Sequence, residues 1–350
     1  METAKRTAVA TLVVVGIVVA TLALWQLRLA VGLIFSAMII AAAMRPSIEW
    51  LARRRVPAPL GLAIHYLALV GAIAVALAFA VPAALHQLDH ALSPTGKAQV
   101  ARAAKHSTGV KHQVLTALQT RLNNLPKRSE LVKPVVGISQ KAFEAVIGIF
   151  FTFAAAAYWI FERDKTVDVV CSLLPRPRRK KVRDTWTLID LRLGAFVRGQ
   201  VLLIVAVATG LSLLFWAVGE PYWILVGTFA GLVEVVPVIG PLVAGALAVT
   251  VGITASVHIA VLAAVCVVAV RLLEDYLIMP RVLGEAVGLS PLLVLVSVTV
   301  VGILFSGWAV LFAVPIAAVA MTLFDVVLRD VDPAEEDVPA VIFSPKEAEA

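Results

Sequence analysis

Glu234 is followed after three residues by Pro237, and then by Gly240 and Pro241, inside an otherwise apolar run from Tyr222 to Thr254. A carboxylate in such a run is costly to hold away from water and marks a functional site by default. Proline carries no N–H and disfavours helix in the residue before it. Pro237 and Pro241 therefore predict an interrupted helix, with carbonyls freed ahead of the break and amides freed behind it. Free carbonyls suit cations and free amides suit anions. Beside such a break, Glu234 is placed to hold a cation, a proton or a polar group of a solute. The plainer reading is a proline kink in which Glu234 snorkels or pairs with an arginine.

A second charged group follows at Arg271, Glu274 and Asp275. Spacings of three and four residues put all three side chains on one helix face. They could pass protons or gate access, or simply form an ion pair that caps the inner end of their helix. Other candidates carry less chemistry. His86 and His90 have a metal-compatible spacing, but no Glu follows the first His and no third ligand is evident, so they read as a solvated helix end. His65 and His258 lie near span ends and read as packing residues. Cys171 falls in a basic loop and Cys266 in an apolar span, so neither a disulfide nor a metal quartet is expected. The chain has no H-E-x-x-H, G-x-S-x-G, Walker or G-x-G-x-x-G signature. No enzyme, no cofactor, no metal and no ATP hydrolysis are expected.

The elements that must position these residues follow from hydropathy. The chain has 350 residues, of which 61% are hydrophobic and only 15% charged, against about 25% charged in a soluble domain. Apolar spans run at 8–25, 29–44, 59–82, 142–161, 200–218, 222–256, 257–273 and 290–327. A simple crossing needs about 20 residues. Span 29–44 is short, which suggests a shallow hairpin around Gln26-Leu-Arg28. Spans 222–256 and 290–327 are too long for one crossing. The first is split at Pro237–Pro241, and the second, with Gly302, Ser306-Gly307 and Pro315, is expected to cross twice. The retained N-terminal span lacks a small-x-small cleavage site.

Charge sets the orientation. Arg45, Arg53, Arg54 and Arg55 follow one span, and a basic loop at 162–198 follows another. Both are expected in the cytoplasm with the two termini. The run from Pro175 to Arg183 reads as an anchor on anionic lipid. No aromatic interleaving accompanies it, so no nucleic-acid partner is expected. Six tryptophans, Trp25, Trp50, Trp159, Trp216, Trp223 and Trp308, lie at predicted span ends, as in aromatic belts. Segment 83–141 reads as extracytoplasmic, with a helical apolar pattern at Val114, Leu118, Leu122 and Leu125 stopped by Pro126. The divisions are then membrane helices at 1–82, the amphipathic segment at 83–141, a transport core at 142–328 and an acidic tail at 329–350.

Gly231-Leu-Val-Glu-Val-Val-Pro-Val-Ile-Gly-Pro241 is similar to the G-L-x-E-x-I-P-x-I-G-P signature of the AI-2E (autoinducer-2 exporter) permease family. Leu273-Glu-Asp-Tyr-Leu-Ile-Met-Pro-Arg-Val-Leu-Gly284, Val287-Gly-Leu-Ser-Pro291 and Ala313-Val-Pro-Ile316 resemble its later landmarks, and Leu193 to Gln200 an earlier one. The resemblance runs from about 10 to 328. It departs at Ser290, where histidine is common, and at Val238, where an aromatic is common, and Arg271 is not an expected family landmark. It implies a bacterial inner-membrane, homo-oligomeric carrier, with a ring of five as the family expectation. Pro280, Arg281, Gly284, Pro291 and Pro315 fall in the matched stretches and are expected as gating or structural positions.

The resulting expectation is an all-α, polytopic integral-membrane bundle with a broken, re-entrant helix at Pro237–Pro241. Its expected partners are membrane lipid, a small-molecule or ion substrate, and copies of itself. The expected activity is export of a small polar organic solute like autoinducer-2, by alternating access. A monovalent cation/proton antiporter and a non-transporting membrane scaffold are the alternatives.

Overall fold

A computed structural model describes residues 11–92, 135–236, 239–278, 289–305, 307–336 and 338, apart from 17, 20, 21 and 24, together with Ala101, Arg102, Lys105, Gln113, Thr116 and Thr120. The described regular structure is helical throughout. In chain order the helices are α1 (Arg28–Arg53), α2 (Ala58–Leu92), α3 (Val135–Ser172), α4 (Arg176–Ala217), α5 (Trp223–Val233), α6 (Ile239–Ala255), α7 (Val257–Leu273), α8 (Pro291–Phe305) and α9 (Ala313–Leu328). A π-helical turn, Glu274–Ile278, extends α7, and a 3-10 turn, Gly307–Phe312, joins α8 to α9. Among the described residues, five helices are long and apolar enough to cross a membrane. The protein is an all-α, multi-pass membrane protein.

α4 is the axis of the bundle. It packs against α1, α3, α5, α7 and α9. Pro175 precedes it and Pro177 sits in its first turn, where a missing N–H leaves no bond unmade. Its 42 residues and the 38 of α3 correspond to about 60 Å each at ~1.5 Å per residue. That exceeds the ~40–45 Å of a whole bilayer, so both project beyond it. Small residues let the helices close in. A methyl group on Gly194 would lie 2.4 Å from the Ala42 carbonyl oxygen of α1. Gly227 and Gly231 of α5 similarly admit Ser212 and Ala208 of α4, a four-residue spacing that brings apolar helices into backbone contact. Phe150, Leu242 and Ile303 lie exposed on the outside, as lipid-facing side chains do.

One network of charged residues joins α1, α3 and α4 at one end. Arg45 of α1 reaches Asp164 of α3 at 3.5 Å, and Arg163 donates to Asp190 of α4 at 2.8 Å. Trp159 and Trp186 stack beside them with centroids 6.0 Å apart. The acidic tail folds onto the same end. Arg192 holds Glu336 at 2.8 Å and Thr322 at 2.8 Å, Lys181 pairs with Asp330, and Val338 enters a cluster with Leu188 and Phe196. The 45–58 and 162–198 regions therefore share one end of the molecule.

Several expectations change. The 162–198 segment is not a loop. It is the end of α3 and the start of α4, joined by a turn at Leu173–Pro175, because charge ends hydropathy without ending helix. Cys171 is accordingly buried at the end of α3. No hairpin forms at Gln26–Arg28: Leu27 donates to Ala23 and Val31 to Leu27 at 2.9 Å, the bonding of a continuing helix. α2 and α3 run past the boundaries placed at 82 and 141, and Pro82 lies inside α2. Span 290–327 does split, at the 3-10 turn, but α8 has only 15 residues, about 22 Å, too short for a simple crossing. The amphipathic pattern at Val114–Leu125 and Pro126 lies outside the described residues, as do the side chains of His86 and His90.

Candidate functional site

α5 and α6 meet in a tight reversal. α5 ends at Val233, and Glu234 is its capping residue. The next amides bond three residues back, Val235 to Leu232 at 3.4 Å and Val236 to Val233 at 3.0 Å, which tightens the helix end as 3-10 geometry does. The Gly240 amide then donates to the Val236 carbonyl at 2.9 Å. The freed Glu234 carbonyl has a partner in α4: Gln200 Nε2 donates to it at 3.1 Å. A methyl group on Gly240 would sit 2.2 Å from the Val233 carbonyl oxygen, so only glycine lets the two helices approach this closely.

The break thus begins at Glu234, ahead of Pro237. Pro237 itself lies outside the described residues. Pro241 is not in the break; it occupies the first turn of α6, where its missing N–H is harmless. With 11 and 17 residues, α5 and α6 are each shorter than a simple crossing.

The two charged groups of the sequence form one cluster. Arg271 Nη1 lies 3.3 Å from Glu234 Oε1 and 3.2 Å from Glu274 Oε2, while Nη2 lies 3.0 Å from Asp275 Oδ1. Glu234 and Glu274 are 6% and 3% exposed; Arg271 and Asp275 are partly open, at 33% and 42% of their side chains. The local chain explains the convergence. α7 begins at Ser256, whose hydroxyl accepts from the Ile259 amide at 3.1 Å, and packs along α6. Its last turn widens into the π turn exactly where Glu274 and Asp275 lie, and such turns recur at functional sites. One guanidinium therefore serves three carboxylates. Among the described residues no group of three or more His, Cys, Asp or Glu is arranged to hold a metal ion; here the guanidinium occupies the centre.

The remaining expected positions divide. Pro280, Arg281 and Gly284 lie outside the described residues. Pro291 is the first residue of α8, and Pro315 is buried in the first turn of α9. Two residues were missed by reading the sequence. Gln200 stood in a recognised landmark but without a role. Glu220, between Gly219 and Pro221, has the local signature of a solvated turn, yet it is 2% exposed.

The profile of the AI-2E transporter family matches residues 12–329. The chain is 24% identical over 303 residues to "Putative transport protein YrrI" of Bacillus subtilis (strain 168), covering 81% of this chain and 82% of that one. It is 25% identical over 214 residues to "Putative transport protein YueF" of the same organism, covering 61% and 57%. It is also 24% identical over 296 residues to "Putative transport protein MT0215" of Mycobacterium tuberculosis (strain CDC 1551 / Oshkosh), covering 81% and 78%.

Proposed function

This chain belongs to the AI-2E transporter family, and from that premise we propose that it exports a small polar solute through the Glu234–Arg271–Glu274–Asp275 cluster. One observation carries the reading: two buried carboxylates and one partly exposed carboxylate share a single guanidinium beside a helix break. With all four groups ionised the cluster is left with excess negative charge in a region of low polarity. Protons or a bound cation must offset it. Carboxylate oxygens accept hydrogen bonds and the guanidinium donates them, a set that suits a hydroxyl-rich solute of the autoinducer-2 kind. Broken helices beside charged side chains are a recurring transporter device.

Transport proceeds by alternating access without ATP hydrolysis, in a bacterial inner membrane. The basic end formed by Arg45–Arg55 and 162–198 faces the cytoplasm with both termini, following the positive-inside rule. Copies of the chain assemble into a closed ring, as most oligomers do. The charge excess also supports a second reading, monovalent cation/proton antiport by the same cluster.

Proteoliposomes test both. Glu234→Gln keeps size and hydrogen bonding and removes one charge. It is expected to fold and assemble, to lose gradient-driven transport and to retain gradient-free exchange. Normal gradient-driven transport by the intact variant would overturn the proposal. Collapse of a proton gradient on adding sodium, without movement of a polar organic solute, would favour the antiport reading.

A further inference from the structure

Glu220 lies in the turn between α4 and α5, outside the five spanning helices. The backbone around it is unusual. Gly219 has φ +74°, and Tyr222, the residue before α5, has φ +58°. The left-handed region is disfavoured for a residue with a side chain. Pro221 stands between them. The turn directs the Glu220 side chain inward, against the seam between α6 and α7. A methyl group on Gly252 of α6 would lie 2.8 Å from Glu220 Oε2 and 2.8 Å from the Ala260 Cα of α7. The seam is thus closed backbone to backbone, with room left only for the carboxyl group.

Among the described residues that group has no partner. Both carboxyl oxygens are buried and neither makes a hydrogen bond. The adjoining core is apolar, built from Phe215, Val226, Ala248 and Ala263, with Val218 and Tyr222 against it. Among the described residues, Cys266 of α7 is the titratable side chain close enough to feel the Glu220 charge, and no charged side chain stabilises it. An ionised carboxylate left unpaired in such a place is far costlier than the neutral acid. Burial accordingly pushes the Glu220 carboxyl up to about 7.

Glu220 and the Arg271 cluster lie at opposite ends of one unit. α5 joins them in sequence, and α4 spans the distance. The stretch of α4 from Gln200, which holds the Glu234 carbonyl, to Ala217 is roughly 25 Å long. We propose that Glu220 is a second proton-binding site, neutral while the α6–α7 seam is closed and deprotonated when the seam opens to water at Gly252–Ala260. The proton goes to that water, and resealing the seam takes one back. This deepens the transport reading, because the seam is on the side of the bundle away from the charged end, where a solute released from the cluster would leave.

The test uses the full-length protein in nanodiscs and infrared spectroscopy, which sees a protonated carboxyl group directly and needs no transport. Wild type is expected to show a protonated-carboxyl band that titrates near pH 7. Glu220→Gln and Glu220→Met are both expected to fold, since they replace a neutral, unpartnered group by a neutral one, and both should lose the share of that band that belongs to Glu220. A wild-type protein with no band titrating near neutrality, or a titrating band that neither variant diminishes, overturns the proposal. In proteoliposomes Glu220→Gln should move solute with loss of the accompanying proton flux. If wild type carries no solute at all, the transport reading fails while the infrared titration still decides the site.

Discussion

Replacing Gly240 by alanine tests the packing on which the candidate site depends. The added methyl carbon would lie 2.2 Å from Val233 O, 2.7 Å from Val233 C and 3.0 Å from Glu234 Cα. All three are backbone atoms, so no rotamer change relieves the clash. A carbon–oxygen contact normally sits near 3.3–3.6 Å. The ends of α5 and α6 must therefore separate by about 1 Å. Overpacking of this kind costs about 1–3 kcal/mol. It also moves Glu234, whose contact with Arg271 is already long at 3.3 Å. Gly245→Ala on the same helix is the control. Its methyl group would meet only Val267 Cγ1 at 3.5 Å, an ordinary contact, and alanine is favoured over glycine inside a helix by about 1 kcal/mol. The two variants should differ by roughly 2–4 kcal/mol, in opposite directions from wild type. Cys171 and Cys266 are both free and buried, so a thiol-reactive dye reads thermal unfolding directly. Gly240→Ala should unfold earlier and transport poorly, and Gly245→Ala should do neither. Equal unfolding midpoints for the two would refute the close approach of α5 and α6.

Arg271→Ala leaves Glu234 and Glu274 without their cation, a loss of a few kcal/mol for buried carboxylates; adding Glu274→Gln should restore part of the yield, and equal yields from the single and double variants would show a solvated cluster. Stability should fall as pH rises from about 4.5 to about 7 and then level off, because Glu220 keeps its proton longer folded than unfolded. The amplitude is about 3 kcal/mol, and Glu220→Gln should lack this phase when denaturation is followed across pH. Lys181 holds the exposed Asp330 carboxyl below its usual range, and Arg192 clamps Glu336. Arg192→Ala should therefore loosen the tail, seen as faster proteolysis after Arg329; an unchanged cleavage rate would refute the Arg192 clamp.

The helix break was legible because proline and glycine act on the backbone wherever they stand. Arg271, Glu274 and Asp275 were legible because helical spacing alone places them together. Their union with Glu234 was not, since 37 residues separate Glu234 from Arg271 and only the packing of α5, α6 and α7 brings them into reach. Glu220 escaped for the opposite reason. Its neighbours Gly219 and Pro221 are turn residues, and turns are ordinarily wet; nothing local reveals that this one points into a seam between two helices further along the chain. The 162–198 segment shows a third limit. Hydropathy reports where a chain prefers lipid, and arginine and lysine form helix well, so a helix that leaves the membrane reads as a loop.

α4 runs unbroken for 42 residues, and three separate polar features hang on it. Asp190 and Arg192 near one end meet α3 and the tail, Gln200 part-way along meets the Glu234 carbonyl, and the Glu220 turn caps the far end. A stiff, continuous helix does not move one of these points alone. If it tilts about its middle, its two ends swing in opposite directions, so a pull on the tail at one end is felt with inverted sign at the Glu220 turn. If it turns about its own length, all three features rotate in phase. The timing of events on the two sides of the membrane is in this sense a property of the stiffness of one helix.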